Sequence, residues 1–132
     1  MHTITVKTPT RTVLVDITRE VRSALRRLGL RNGALHLFVP HTTAGIVINE
    51  KADPAVPEDI LSVLAAFAPA EKVYRHLEGN ADAHAKAVLT GASVLVPVED
   101  GELVLGTWQA LFFAEFDGPR TRKVVLNPLP AP

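Results

Sequence analysis

Short β-rich runs separated by turn residues dominate the second half of the chain, and they constrain its fold more than any other feature. Four such runs are predicted as strands, at 93–98, 102–105, 108–116 and 121–126. Glu99-Asp100-Gly101 and Asp117-Gly118-Pro119 each separate two of these runs, and both are typical turn sequences. After residue 92 the chain is therefore predicted to be almost entirely sheet.

The first part of the chain alternates between strand and helix patterns. Its predicted strands are 2–7, 12–16, 35–41 and 45–49. Its predicted helices are about 17–29, a second one that begins between 53 and 57 and ends near 67, and 82–89. β-branched and apolar runs indicate the strands, and apolar residues at i, i+3, i+4 spacing indicate the helices. Together with the second half, these patterns predict one α+β domain over residues 1–132.

The chain has more apolar residues than a small domain easily buries. Of its 132 residues, 47% are hydrophobic and 21% are charged. A domain of this length buries roughly two thirds of the surface that its unfolded chain exposes, so some of the apolar surface needs another cover. A homo-oligomer is therefore expected.

The charge balance and the missing cysteines exclude several classes of function. Fourteen basic residues balance fourteen acidic ones, so there is no overall positive field to attract nucleic acid or an anionic membrane. A small molecule is the expected partner. No apolar run approaches the roughly 20 residues of a membrane span, and no signal peptide is indicated, so a cytoplasmic location is expected. Without cysteine, a metal would have to bind His, Asp or Glu.

Three histidines are the candidates for catalysis or metal binding: His41, His76 and His84. Imidazole transfers protons near neutral pH and binds divalent ions, and zinc typically takes about three protein ligands and an open position. The spacing of these histidines is not a known ligand motif, and each could instead make a purely structural hydrogen bond. Strand alternation places His41 at the end of the apolar face that Leu35 begins, where a pocket could open. His36 is assigned to core or interface packing.

Asp82 and Lys86 form an i, i+4 pair on the last predicted helix. An exposed surface ion pair is the favoured interpretation of this spacing. On a helical wheel, His84 lies nearly opposite Lys86, so the two side chains do not easily serve one site in one chain. A site that uses both is therefore expected to be shared between subunits, unless the helix starts after Asp82.

Several polar residues lie at strand ends or on apolar strand faces. Glu50 ends the second buried strand and could act as a base, a metal ligand or half of a salt bridge, of which the salt bridge is favoured. Thr107, Gln109 and Glu115 share a strand face that is otherwise apolar, so they need partners or a ligand. The strand pattern alone does not choose between these two.

Basic residues follow the Gly118-Pro119 turn. Arg120, Arg122 and Lys123 could hold a phosphate group, because guanidinium groups suit bidentate contact with its oxygens. Exposed charges on a β-strand would show the same pattern.

Six short sequences with polar residues occur along the chain. They are His41-Thr42-Thr43-Ala44, Asn49-Glu50 with Asp53-Pro54, Tyr74-Arg75-His76, Asp82-Ala83-His84-Ala85-Lys86, Leu105-Gly106-Thr107-Trp108-Gln109 and Glu115-Phe116-Asp117-Gly118-Pro119-Arg120. Together and in this order they resemble the YjbQ family, also called secondary thiamine-phosphate synthases. The resemblance runs from about residue 35 to residue 125.

The resemblance implies a trimer of α+β domains, each with about three helices and a mixed or antiparallel sheet, and a site at or near the subunit contact. It also implies thiamine-phosphate synthase activity, in which the nitrogen of a thiazole phosphate displaces pyrophosphate from a hydroxymethylpyrimidine diphosphate. The departure of pyrophosphate needs cationic or metal stabilisation and a pocket that excludes water.

The resemblance also implies roles for individual residues. The residues with implied catalytic roles are His41, Glu50, Lys86 and Gln109. Those with implied roles in substrate or phosphate binding are Thr42, Thr43, Asn49, Thr107, Trp108 and Arg120. The implied ligands of a divalent ion, zinc or magnesium, are His41, His76 and His84. Histidine ligands suit zinc, whereas magnesium prefers oxygen. The alternatives are a non-catalytic regulatory module that binds a small anion or a metal, and a structural oligomer whose histidines only complete interface hydrogen bonds.

Overall fold

A computed structural model describes residues 1–72, 74–75 and 79–132 of the chain. Within these residues it contains eight strands and three helices. In chain order they are β1 His2–Lys7, β2 Val13–Asp16, α1 Thr18–Leu28, β3 Gly33–Phe38, β4 Ala44–Glu50, α2 Ala55–Phe67, α3 Ala81–Thr90, β5 Ser93–Glu99, β6 Glu102–Leu103, β7 Gln109–Glu115 and β8 Thr121–Pro130. None of the helices in the described ranges is long and apolar enough to cross a membrane.

The strands form two sheets. A five-stranded sheet has the order β1-β8-β3-β5-β6, and a three-stranded sheet has the order β2-β7-β4. Every strand pairing among the described residues is antiparallel. The α+β fold with three helices is therefore confirmed, and the sheets are antiparallel rather than mixed.

The main core lies between the two sheets and α1. Alternate residues of the central strands point into it, as the period-two geometry of a strand requires. Its fully buried members include Leu35 and Leu37 from β3, Leu111 and Phe113 from β7, Val124 and Leu126 from β8, and Val21 and Leu25 from α1. Burial of each large apolar side chain contributes roughly 1.5–3 kcal/mol. This core fixes the relative position of the two sheets.

A smaller cluster lies on the other face of β7, where α2 and α3 cover it. Ala83 and Ala87 of α3 pack here with Phe112 and Ala114 of β7. Because these α3 side chains are small, the helix lies close to the sheet. β7 is therefore buried on both faces, and its residues Ala110 to Glu115 are all buried.

Several predicted element ends differ from the structure. The strand predicted at 35–41 ends at Phe38, so His41 lies in the loop before β4 rather than on the strand. The strand predicted at 121–126 continues to Pro130. β1 pairs with β8 only as far as Leu126, so Pro128 and Pro130 lie where β8 has β3 as its one neighbour and their missing N–H groups cost no ladder bond.

Candidate active site

A cleft of about 410 Å³ opens between the loop that precedes β4 and the helix α3. Its lining residues are His41, Thr42, Ala44, His84, Ala87, Val88, Gly91 and Ala92. His41 and Thr42 come from the loop, whereas His84 projects from the first half of α3. Two of the three predicted histidines therefore meet in one cleft. His76 lies outside the described residues.

The close approach of α3 to β4 holds this cleft in shape. The Ile46 N–H donates to the Gly91 carbonyl oxygen over 3.1 Å, which joins β4 to the end of α3. Gly45 permits this approach because a Cβ at that position would collide with the Thr90 hydroxyl and would lie 2.6 Å from the Gly91 carbonyl oxygen. The Val39 N–H donates to the Ala92 carbonyl oxygen over 2.7 Å and ties the loop after α3 to β3.

His41 has a defined hydrogen bond and a defined charge state. Its Nε2 accepts a hydrogen bond of 2.9 Å from the backbone N–H of Lys123. Burial lowers the pKa of His41 below its usual value, and the positive charge of Arg122 lowers it further. The ring is therefore neutral at pH 7, and because Nε2 is the acceptor, its proton is on Nδ1.

A buried ion pair lies behind the His41 loop. The Glu115 carboxylate accepts hydrogen bonds from Arg122 Nε (2.9 Å), from Arg122 Nη2 and from the Thr8 hydroxyl (2.7 Å). Its Oε2 also accepts the backbone N–H groups of residues 116 and 117, each at 3.1 Å. Burial alone would raise the pKa of Glu115, but these donors, Arg122 first, hold it below its usual value. Glu115, which strand alternation placed on an otherwise apolar face, thus has hydrogen-bond partners within the protein.

Arg122 connects this pair to the cleft. Its Nη2 also donates to the hydroxyl of Thr43 over 2.9 Å, and Thr43 lies two residues from His41. Arg122 is buried. The sequence left open whether Arg122 is an exposed charge on a strand or an accessible phosphate ligand. Its burial contradicts both interpretations.

Asp82 and Lys86 form a buried ion pair on the inner face of α3. Lys86 Nζ donates to Asp82 over 2.9 Å, and the two side chains are 5% and 1% exposed, Lys86 first. Arg11 completes the group with two hydrogen bonds to the same carboxylate, at 3.0 and 3.2 Å. The interpretation of Asp82 and Lys86 as a surface pair is wrong, because both side chains are buried and Arg11, from a distant part of the chain, binds the same carboxylate.

Comparison with known proteins identifies the family. The family model described as UPF0047 protein YjbQ-like matches residues 2–130. The chain belongs to the YjbQ family. The UPF0047 protein YugU of Bacillus subtilis is 50% identical over 123 residues, which cover 92% of this chain and 93% of that protein. The UPF0047 protein MJ1081 of Methanocaldococcus jannaschii is 50% identical over 118 residues, or 89% of this chain and 86% of that protein.

Solved structures of the YjbQ family have the same fold. The YjbQ/UPF0047 family protein of Clostridium acetobutylicum superposes with a TM-score of 0.94 at 46% identity, covering 98% of this chain and 100% of that one. The conserved hypothetical protein TT1486 of Thermus thermophilus superposes with a TM-score of 0.91 at 47% identity, with the same coverage. The fold of this chain is therefore the YjbQ fold along almost its whole length.

Several residues to which the family resemblance assigns roles lie far from the cleft. In the pairing of β4 with β7, Ala44 is opposite Glu115 at one end and Glu50 is opposite Gln109 at the other. Six residues of strand separate these ends, which corresponds to roughly 20 Å. The residues at the far end are Asn49, Glu50, Thr107, Trp108 and Gln109. One chain does not bring them to His41 and His84.

The far end is an ordered turn. The side-chain oxygen of Gln109 accepts the N–H of Gly106 over 2.8 Å, and the Lys51 N–H donates to the Trp108 carbonyl oxygen over 2.9 Å. These bonds present the indole of Trp108 to the surface, where the residue is 62% exposed. Gln109 is therefore used by the turn itself.

Arg120 lies near the start of α3. Its Nε donates to the Asp117 carbonyl oxygen (2.8 Å) and its Nη2 to the Asp117 carboxylate (3.1 Å), while about half of its side chain stays exposed. Asn80, which precedes α3, donates to the same carboxylate over 2.9 Å. Burial would raise the pKa of Asp117, but the Asn80 and Arg120 hydrogen bonds hold it low. Arg120 is thus accessible but already anchored.

The predicted three-histidine metal site stays a prediction, because His76 lies outside the described residues. No group of three or more His, Asp and Glu side chains in the described ranges is arranged to hold an ion. His41 uses the lone pair of Nε2 for the Lys123 N–H and carries a proton on Nδ1, so neither nitrogen is a ligand while that bond exists.

Sequence reasoning did not single out Thr8 and Arg11. Arg11 is 71 positions from Asp82, and Thr8 is 107 positions from Glu115. No local pattern marks such pairs, since each forms only when distant strands and helices pack. The one available signal was Glu115 on an otherwise apolar strand face, where a polar side chain needs a partner.

Proposed function

We propose that this chain is an enzyme that binds a phosphorylated small molecule in the cleft of His41 and His84. The observation that carries the proposal is the convergence of these two histidines and Thr42, from a loop and a separate helix, on one cleft of about 410 Å³. A cleft of this size accommodates a heterocycle with a phosphate group.

The two sides of the cleft suit different parts of such a molecule. The alanines 44, 87 and 92 and Val88 offer an apolar wall for a flat ring. His41 and Thr42 offer N–H and O–H donors for phosphate oxygens. Burial is the main cause of the lowered pKa of His41, and the positive charges of Arg122 and Lys123 lower it further against the opposing charge of Glu115. Positive charges near the cleft favour an anion.

The proposed reaction is the one that the YjbQ family resemblance implies. The ring nitrogen of a thiazole phosphate forms a bond to the exocyclic carbon of a hydroxymethylpyrimidine diphosphate. The carbon–oxygen bond of that diphosphate breaks, and its electron pair leaves with pyrophosphate. The attacking nitrogen has a lone pair and no proton to lose, so no general base is needed. The protein has to orient the reactants, donate hydrogen bonds to the leaving group and exclude water.

The residues at the far end of β4 and β7 contribute, in this proposal, to the cleft of a neighbouring subunit. Glu50 and Trp108 lie roughly 20 Å from the cleft along β4 and β7, measured by strand rise. In the proposed trimer, the far end of one subunit lies beside the cleft of the next. The exposed Trp108 supports this arrangement, because a large exposed aromatic side chain is a typical anchor of a protein interface.

One observation favours a non-catalytic anion-binding module as the second candidate. The described residues that line the cleft include no carboxylate, lysine or arginine side chain. Such a lining can recognise a small anion through neutral donors alone. This candidate predicts binding without turnover.

Incubation of the protein with hydroxymethylpyrimidine diphosphate and thiazole phosphate tests the proposal. Thiamine phosphate and pyrophosphate should appear in equal amounts and at a steady rate above that without protein. Pyrophosphate without thiamine phosphate would indicate hydrolysis and contradict the transfer step. Saturable binding of either substrate by calorimetry, with no product after prolonged incubation, would favour the binding module instead.

A further inference from the structure

The hydrogen bond between Lys123 and His41 has consequences for how the cleft works. A backbone N–H can only donate, so the Nε2 that receives it must be unprotonated, and a neutral ring then has its proton on Nδ1. The nitrogen that does not accept this bond is therefore a donor. A donor at the edge of a cleft binds an acceptor atom, such as a phosphate oxygen, and does not bind a cation.

We infer that His41 is held as the Nδ1-protonated tautomer, that it donates this N–H to an oxygen of the bound anion, and that it is not a metal ligand. The Lys123 N–H and the Arg122–Glu115 pair are positioning groups for it. This inference rests on the proposed function only for the identity of the anion, since the tautomer is a property of the protein alone.

The strand register explains why the Lys123 N–H is available. Lys123 of β8 is opposite Thr5 of β1, and β3 pairs with β8 only from Val125 onwards. Beside Lys123, the place of β3 is therefore taken by the His41 loop. The N–H of Lys123 is directed at His41 and so away from β1. His41 thus completes the hydrogen bonding of β8 where β3 has ended.

The buried ion pair holds the same loop from its other end. Arg122 donates to the Thr43 hydroxyl over 2.9 Å, and the Glu115 carboxylate fixes the guanidinium through two of its nitrogens. Thr8 and two backbone N–H groups in turn fix Glu115. The loop from His41 to Thr43 is therefore anchored twice on β8, at Lys123 and at Arg122.

Replacement of Lys123 by proline removes both the backbone N–H and the lysine side chain. Because this N–H is not part of the β1–β8 ladder, proline is tolerated there as on an edge strand. Lys123→Ala is the matched control, since it removes the same side chain and keeps the N–H. In ¹H–¹⁵N spectra of the imidazole rings, the wild type and Lys123→Ala should show His41 protonated at Nδ1. Lys123→Pro should lose this tautomer preference while the His36 signals, on the outer face of β3, stay unchanged.

A second pair of variants tests the positioning role even if Lys123→Pro fails to fold. Thr43→Val removes the oxygen that accepts from Arg122, and Thr43→Ser keeps it. Thr43→Val should shift the His41 signals and weaken inorganic phosphate binding about fivefold, as expected for the loss of one hydrogen bond's ordering effect, and Thr43→Ser should restore both.

Two results would overturn the inference. One is wild-type His41 protonated at Nε2. The other is a zinc titration in which a His41 nitrogen becomes a ligand at stoichiometric zinc. Phosphate should instead perturb the Nδ1 proton of the wild type. If the tautomer and the phosphate response are found without turnover, the inference stands and the proposed function fails. Turnover together with Nε2-protonated His41 would support the proposed function and overturn the inference.

Discussion

Lys86 Nζ donates a 2.9 Å hydrogen bond to Asp82 one turn earlier in α3, and both side chains are almost wholly buried. A buried ion pair of this kind adds little net stability over an apolar pair, but breaking it is costly because one charge is left without its partner. Asp82 keeps Arg11 as a second partner. The buried pair lies on the face of α3 that is turned inward, whereas His84 lines the cleft.

The first prediction concerns the loss of Lys86. Lys86→Met should lower the free energy of unfolding by about 3 kcal/mol, because the Asp82 carboxylate stays buried with one cation fewer. Urea denaturation measures this. Lys51→Met is the matched control at an exposed lysine and should change the free energy by less than about 0.5 kcal/mol. Equal effects of the two substitutions would show that the Asp82–Lys86 pair has no structural role.

The second prediction concerns acid stability. Burial alone would raise the pKa of Asp82, but the hydrogen bonds from Arg11 and Lys86 and their charges lower it to about 2, from 3.8. A carboxyl whose pKa is lower in the folded state stabilises the fold above its unfolded pKa and loses that contribution as the pH falls. Between pH 5 and pH 2 the wild type should therefore lose about 2 kcal/mol through this group.

Asp82→Asn isolates this contribution. Its free energy of unfolding should be lower at pH 7 but should fall less steeply between pH 5 and pH 2. Parallel pH profiles for the wild type and Asp82→Asn, from urea denaturation at each pH, would contradict the assignment. Glu115 and Asp117 also have lowered pKa values, so part of the acid loss remains in the variant.

The third prediction compares histidines inside and outside the cleft. His84→Ala and His41→Ala should each reduce product formation at least tenfold, because each removes a polar group from the cleft. His36→Ala is the control. The ring of His36 is hydrogen-bonded to the Asn127 side chain on the outer face of the sheet, outside the cleft. It should leave the rate within about twofold of the wild type. Equal losses in all three variants would indicate a folding effect.

The fourth prediction concerns the proposed trimer. Sedimentation should give three times the mass of the chain. Trp108 is the chain's single tryptophan and is 62% exposed in one chain, so its emission should shift to shorter wavelength when subunits assemble. Trp108→Ala and His84→Ala should each be inactive alone and should regain activity when unfolded and refolded together, because mixed trimers hold some intact sites. No recovery on mixing would contradict a site shared between subunits.

The fifth prediction concerns metal. Elemental analysis of protein purified without a His tag should give the same content of divalent ions for the wild type and for His41→Ala, and chelator should affect both equally. His41 is expected to be a hydrogen-bond donor and so does not contribute to ion binding. Loss of a stoichiometric ion in His41→Ala would contradict this expectation and support the metal site predicted from the three histidines. His84→Ala serves as the comparison, since His84 lines the same cleft.

Local patterns predicted much of the fold. The alternation of apolar residues in β3, β5 and β8 and the helical spacing in α1 placed these elements within a few residues of their observed ends. The limits of β3 and β8 were missed because pairing decides them: β8 continues through Pro128 only because β3 lies beside it. Membership in the YjbQ family, found from six short sequences, is confirmed over residues 2–130.

The sequence by itself determined the set of chemical groups: neutral donors, charged side chains of both signs and a surplus of apolar surface, with no thiol among them. Tertiary structure alone decided which of these groups meet. It placed His41 and His84 in one cleft, buried Lys86 beside Asp82, and buried Arg122 beside Glu115. The physical reason is that a charged or polar side chain has a large cost of burial without partners, and its partners here come mostly from strands and helices far away in the chain.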